Sequence, residues 1–317
     1  MLRTIYAAYS PSRLFQLNIF VTARCNARCK MCFYLDAIEK ANENLSKELT
    51  LKEYEKISKT IGPIPYLAFS GGEPFLRRDL FDIVDVLVSA ARPLLVSIPT
   101  NGAYGLRVNE VTQRLAVKHP KTQFDIQLSL DGPENIHDEV RQVPGLYRRL
   151  VDCHSKLYKL REDLTNVGIK IVVTYSKFNQ SYVGVLLDQL EHTFYADRII
   201  LAKVHGDCPQ EAKDGLDLNH FSSLLRKAEK INNQNAAKRR MANTIALRIK
   251  RSKELLRERF EESRNLGRYC GAGRKIAVLA EDGMVFPCEV LEQPLGNIRN
   301  SNFNIHATIK AGMQPLE

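Results

Sequence analysis

The sequence predicts a parallel α/β architecture. Short apolar strand-like runs and longer amphipathic helical runs alternate about six times between Leu14 and Val204. Several of the strand-like runs end in turns that carry Gly, Asn or Asp. Those turns also hold the residue clusters best suited to chemistry, and parallel α/β folds collect their binding groups at strand C-termini.

The elements follow in chain order. Leu14 to Thr22 reads as a buried strand running into a cysteine-rich loop. Leu51 to Thr60 is a helix, with Thr50 as its cap and Glu53 as the capping-box partner. Tyr66 to Phe69 is a second strand, ending at Ser70-Gly71-Gly72-Glu73-Pro74. A helix over Leu80 to Ala91 leads to a third strand, Leu94 to Ile98, which ends at Pro99-Thr100-Asn101-Gly102. Val108 to Val117 is helical, and Phe124 to Leu130 is a fourth strand ending at Asp131-Gly132-Pro133. Tyr147 to Leu160 is a helix with a basic face, Ile169 to Thr174 a fifth strand, Tyr182 to Leu190 a helix, and Ile199 to Val204 a sixth strand.

From His220 to about Arg264 the pattern becomes long helix. One apolar stripe runs through Phe221, Leu224, Leu225, Ala228 and Ile231, and another through Ile245, Ile249, Leu256 and Phe260. Asn232-Asn233-Gln234-Asn235 is expected to break it. Lys275 to Ala280 and Met284 to Phe286 then flank Glu281-Asp282-Gly283, a hairpin signal. The expected division is 1–215 for the α/β unit, 216–265 for a helical linker and 266–317 for a small C-terminal α+β domain.

At 317 residues the chain can bury a large core in one barrel-sized domain with a small appendage. No run reaches the roughly eighteen apolar residues of a membrane span, and no cleavable apolar signal opens the chain. The net charge of +10 gathers in Arg148-Arg149 to Arg161 and in Lys238-Arg239-Arg240 to Arg259. Both runs have helical spacing and little aromatic interleaving, so a nucleic-acid partner is not expected. The seven cysteines are an odd count, which argues for ligands and free thiols in a reducing, cytoplasmic compartment.

Three of them, Cys25, Cys29 and Cys32, follow the first strand at a C-x3-C-x2-C spacing. Thiolates this close converge on one metal centre, and soft thiolates select zinc, copper(I) or iron–sulfur clusters. A structural zinc site wants four ligands, and here the local count is three with no nearby histidine. A [4Fe–4S] cube held by three cysteines keeps one iron open for a small molecule.

This stretch, with Phe33 directly after the third cysteine, resembles the cluster motif of the radical S-adenosylmethionine (SAM) enzymes. Gly71-Gly72-Glu73-Pro74 resembles the element that binds the SAM amino group in that family. Asn101, Ser129 and Asp131 stand at positions similar to those whose loops contact SAM or substrate. His137-Asp138-Glu139-Val140-Arg141 resembles an HDxxR segment whose arginine, here Arg141, would reach the SAM carboxylate; His137 by itself reads as a capping or surface residue.

The resemblance implies a partial (β/α)6 TIM-like barrel, a [4Fe–4S] cluster on the three cysteines, and SAM on the open iron. One electron would cleave SAM to a 5′-deoxyadenosyl radical that takes hydrogen from a substrate, with flavodoxin or ferredoxin as electron donor. Tyr269-Cys270-Gly271 through Pro287-Cys288 to Gly296-Asn297-Ile298 resembles the opening of a SPASM or twitch domain. That implies Cys270 and Cys288 as ligands of an auxiliary iron–sulfur cluster. The family pattern continues with further cysteines and this sequence has none after Cys288, so the expectation is a truncated sequence or an incomplete auxiliary site. Cys208 stands as a third ligand, a substrate contact or an idle thiol, and Cys153 as a structural one. No separate leader-binding domain is visible, which favours a small-molecule or carbohydrate substrate over a ribosomal peptide. The rival readings are a radical SAM enzyme acting on RNA or nucleotides and a non-catalytic zinc-binding protein.

Overall fold

The computed structural model describes residues 14–238, 270–291 and 293–313. The stripe Ile245, Ile249, Leu256 and Phe260, the basic run 239–259 and Tyr269 lie outside the described residues. The strands are β1 (Gln16–Thr22), β2 (Tyr66–Gly71), β3 (Leu95–Thr100), β4 (Gln123–Ser129), β5 (Val167–Tyr175), β6 (Arg198–Lys203), β7 (Ile276–Leu279), β8 (Met284–Phe286) and β9 (Gly296–Asn297). The main helices are α1 (Leu51–Thr60), α2 (Leu80–Ala91), α3 (Gly105–Lys118), α4 (Glu134–Arg141), α5 (Leu146–Asp163), α6 (Val183–His192), α7 (Leu218–Lys238) and α8 (Ile305–Gly312).

Strands pair in the order β6-β5-β4-β3-β2-β1-β7-β8-β9. Every pairing from β6 to β7 is parallel, and β8 and β9 are antiparallel additions. Six β/α units in sequential order give a partial (β/α)6 barrel, and among the described residues the sheet does not close. Strand alternation gives this sheet two different faces. One carries Leu17, Ile19, Leu67, Phe69, Ile98, Ile126, Ile169 and Ile171, all buried in one core with α1, α2, α3, α5 and α6. The other is largely polar: it carries Ala68, Ser70, Gln127, Ser129, Lys170 and Thr174, which are half-buried, together with the buried Asn18, Phe20, Ser97 and Asp125. A parallel sheet covered by helices on both sides would be apolar on both. The half-buried row is therefore the concave, wetted face of an open barrel.

The α1 capping box forms as expected: the Thr50 hydroxyl accepts from the Glu53 N–H at 3.3 Å, and the Glu53 carboxylate accepts from the Thr50 N–H at 2.8 Å. The expected break at Asn232 does not occur, because α7 runs through it. Asn232 is buried, and its amide accepts from the Ile199 N–H at 2.7 Å and donates to the Ile199 carbonyl at 2.9 Å. Asn235 donates to the Ala196 carbonyl at 3.1 Å. Two of the four polar residues thus serve the outer edge of β6 and its approach, whose backbone groups would otherwise go without partners.

Candidate functional site

The loop 23–34 leaves β1 at the C-terminal mouth of the barrel and carries Cys25, Cys29 and Cys32. The loop is anchored on three sides. The Gly72 N–H donates to the Thr22 carbonyl and the Glu73 N–H to the Arg24 carbonyl, both at 2.8 Å. Gly71 adopts φ +122°, and a Cβ on Gly72 would lie 2.2 Å from the Arg24 carbonyl oxygen. Only glycine allows β2 to end this close to the cysteine loop. Asn101 donates from its side-chain amide to Asn26 Oδ1 at 2.8 Å, tying the β3 loop to the same segment. From α4, the Val140 carbonyl accepts from the Lys30 N–H at 2.9 Å and the Arg141 carbonyl from the Arg28 N–H at 3.4 Å.

All three thiols are half-buried, and Cys25 and Cys32 each feel Cys29 electrostatically. Burial pushes Cys25 up to about 12 and Cys32 up to about 11, and it raises Cys29 as well. Metal binding must therefore displace protons that these thiols otherwise hold at neutral pH. Among the described residues no three His, Cys, Asp or Glu side chains are set to share a single metal ion. A cubane makes no such demand, since each thiolate takes a different iron. Three soft donors on one loop, in mutual electrostatic reach, fit that group.

Glu73 is buried, and three donors hold its carboxylate: Phe75 N–H at 3.2 Å and Thr100 Oγ1 at 2.9 Å on Oε1, and Asn101 N–H at 2.8 Å on Oε2. Burial raises it to about 7, against those hydrogen bonds and the Arg141 charge, which lower it. A carboxylate has about four acceptor positions, so one remains. Pro74 is buried and opens the short turn Pro74–Leu76. Ser129 is half-buried at the end of β4, on the concave face.

Asp131 and Arg141 turn to each other. Arg141 Nε and Nη2 each lie 2.7 Å from Asp131 Oδ2, and Asp131 Oδ1 accepts from the Thr174 N–H at 2.8 Å. His137 is not at the surface: it is fully buried, and its Nδ1 accepts from the Asp131 N–H at 3.2 Å. The reason is α4, whose inner face turns His137, Val140 and Arg141 toward the interior together.

Cys208 packs with Met31, Val140, Val204 and Ala212 against Cys29 and Phe33, and so belongs beside the first cysteine loop. Cys153 is buried in α5. Cys270 is exposed and Cys288 half-buried. They lie on neighbouring turns, because the Gly273 N–H is shared between the Ile276 and Pro287 carbonyls at 2.9 and 3.0 Å. The basic face of α5 is partly neutralised: Arg148, Lys156 and Arg161 pair with Glu134, Asp152 and Asp197.

Several supporting residues escaped sequence reasoning. The Arg77 guanidinium is buried and donates to the Val21 and Leu49 carbonyls at 2.5 Å each. The Tyr34 hydroxyl donates to Glu281, joining the cysteine loop to the β7–β8 turn. The Asn18 amide donates to Glu289 Oε1 at 2.6 Å, joining β1 to the segment after Cys288. The Arg-Arg-Asp run after the Gly-Gly-Glu-Pro turn was a usable signal for Arg77; the other two pairs left none.

Residues 19–176, about half the chain, match the radical SAM superfamily model, and the chain belongs to that superfamily of enzymes. A [4Fe–4S] cluster and SAM are the cofactors that membership implies. The chain is 28% identical over 189 residues to the pre-heme d1 synthase of Dinoroseobacter shibae, covering 57% of this chain and 43% of that protein. It is 24% identical to the AdoMet-dependent heme synthase of Oleidesulfovibrio alaskensis, over 89% of this chain and 71% of that one. The sporulation killing factor maturation protein SkfB of Bacillus subtilis is 22% identical over 88% of this chain and 61% of its own length. Native anSMEcpe with bound AdoMet superposes with a TM-score of 0.60 at 19% identity, covering 94% of this chain and 84% of that structure. Streptococcus suis SuiB bound to S-adenosylmethionine gives 0.62 at 16%, covering 96% and 67%. At these identities the structural likeness concerns the fold.

Proposed function

We propose that this chain is a radical SAM enzyme in which Cys25, Cys29 and Cys32 hold a [4Fe–4S] cluster at the barrel mouth. The observation that carries the reading is the three-thiol loop, tied by backbone hydrogen bonds to β2 and α4 at the C-terminal ends of the strands. When bound, the cluster and SAM supply the one-electron chemistry that removes a hydrogen atom from substrate. The chain's residues position and exclude. Gly71, Gly72 and Pro74 bring the β2 loop against the cysteine loop, and Glu73 offers its remaining acceptor to the SAM ammonium. Asn101 fixes the loop from the other side, and Ser129 faces the concave sheet where substrate enters.

The substrate we infer is a small molecule. Support comes from the AdoMet-dependent heme synthases of Oleidesulfovibrio alaskensis and Methanosarcina barkeri, each aligned over 89% of this chain. A peptide substrate is the second reading, favoured by SkfB. We also read residues 266–317 as a SPASM/twitch-like cover joined through a 216–265 linker, with Cys270 and Cys288 on its hairpin. A flavodoxin or ferredoxin in the cytoplasm completes the reading as electron donor.

The test is 5′-deoxyadenosine release from SAM with dithionite after anaerobic reconstitution. Wild type should release it and Cys25→Ala should not. Release by Cys25→Ala at the wild-type rate would sink the assignment.

A further inference from the structure

Cys29 is the middle cysteine of the loop, and the N–H groups of its two neighbours, Arg28 and Lys30, are both held by the last turn of α4, through the Arg141 and Val140 carbonyls. The side chain of that same Arg141 is buried and doubly bonded to Asp131 Oδ2 at 2.7 Å. Asp131 is itself wholly enclosed. Its Oδ1 accepts from the Thr174 N–H, its carbonyl from the Asn179 side-chain amide at 2.8 Å, and its N–H donates to His137. The turn after β4, the helix α4, the end of β5 and the turn after it thus converge on one carboxylate and one guanidinium. A buried ion pair is weak support for stability, since apolar residues of the same shape often do as well. Its attachment, through the Arg141 carbonyl, to the loop that carries Cys29 suggests a use for the charges. Val140, the residue before Arg141, also packs in the apolar cluster against which Cys29 lies.

We propose that Arg141 and Asp131 are positioning residues for Cys29, fixing the loop and setting the electrostatic field at the edge of the cluster that Cys29 holds. The proposal rests on the reading of Cys29 as a cluster ligand. It is separate from the expectation that Arg141 meets the SAM carboxylate, since the bonds to Asp131 engage Nε and Nη2 and leave Nη1 of the guanidinium free to donate.

The physics gives a signed prediction. Reducing a cluster adds negative charge, so nearby positive charge favours the reduced form and raises the potential. R141Q leaves Asp131 uncompensated and should lower the cluster's midpoint potential. D131N leaves Arg141 uncompensated and should raise it. R141K keeps the charge without the fork, and should retain iron with a potential between those of R141Q and wild type.

The experiment is an EPR-monitored redox titration of the full chain, reconstituted anaerobically, for wild type and these three variants, with iron measured on each sample. Opposite shifts in R141Q and D131N support the proposal. Unmoved potentials, or shifts of the same sign, overturn it. If R141Q does not hold iron, D131N decides alone, and an unmoved potential there overturns it. Iron that C29A retains at the wild-type level would instead overturn the ligand reading beneath it.

Discussion

At the scale of single residues, the site is built by close approach. Gly72 has no room for a methyl group, with Arg24 O at 2.2 Å from the place its Cβ would occupy. G72A should cost about 3 kcal/mol in urea melts, since the cysteine loop or the end of β2 must shift. Stability within about 0.5 kcal/mol of wild type would show that the loop yields freely. The glycines, Glu73 and the three cysteines were legible because their motifs are short and contiguous. The residues that orient them were not. Asn26 meets Asn101 across 75 positions, Arg77 meets Val21 across 56, and Asn179 meets Asp131 across 48. Pairings of that range leave no local pattern. His137 differs from its expected surface position for a nearer reason: α4 turns it inward with Val140 and Arg141, and its ring accepts from the Asp131 N–H only six residues away.

At the scale of elements, the six strands and most of the helices between them were legible to within a few residues, because apolar runs and capping signals act locally; α4, which positions His137 and Arg141, was not anticipated as a helix. The predicted Leu51–Thr60 and Leu80–Ala91 helices are the observed ones. The Asn232 region shows where local propensity loses. Asparagine is a poor helix former, yet here its amide satisfies the open edge of β6, and that tertiary bond outweighs the propensity cost of about half a kcal/mol. N232L, which keeps the volume and removes the hydrogen bonds, should destabilise by about 2 kcal/mol in urea melts. N233A, at an exposed position on the same helix, should stay within about 0.5 kcal/mol of wild type. Equal effects of the two would refute the edge-strand role. β9 and the short turns Leu35–Glu39 and Ala41–Asn44 were not anticipated, being too short for periodicity to register.

At the scale of the whole molecule, the C-terminal strands extend the barrel sheet from β1, and specific side chains fasten them. Arg299 donates to Glu53 at 2.6 Å, linking the turn after β9 to the α1 capping box. Burial by itself raises Glu53, but Arg299 and the Thr50 cap together outweigh it and hold the carboxyl down to about 2. A carboxylate depressed in the folded state adds stability above its unfolded value, and that stability is lost as pH falls toward the folded one. Thermal stability should therefore decline between about pH 4.5 and 2 through this group, and E53Q should flatten that part of the profile. An unchanged profile in E53Q would remove this latch from the account. The central claim concerns the mouth of the barrel, and iron reports on it most directly. After anaerobic reconstitution, wild type should carry about four more irons per chain than a Cys25/Cys29/Cys32→Ala triple variant. Equal iron in the two proteins would contradict the assignment of the cluster to that loop.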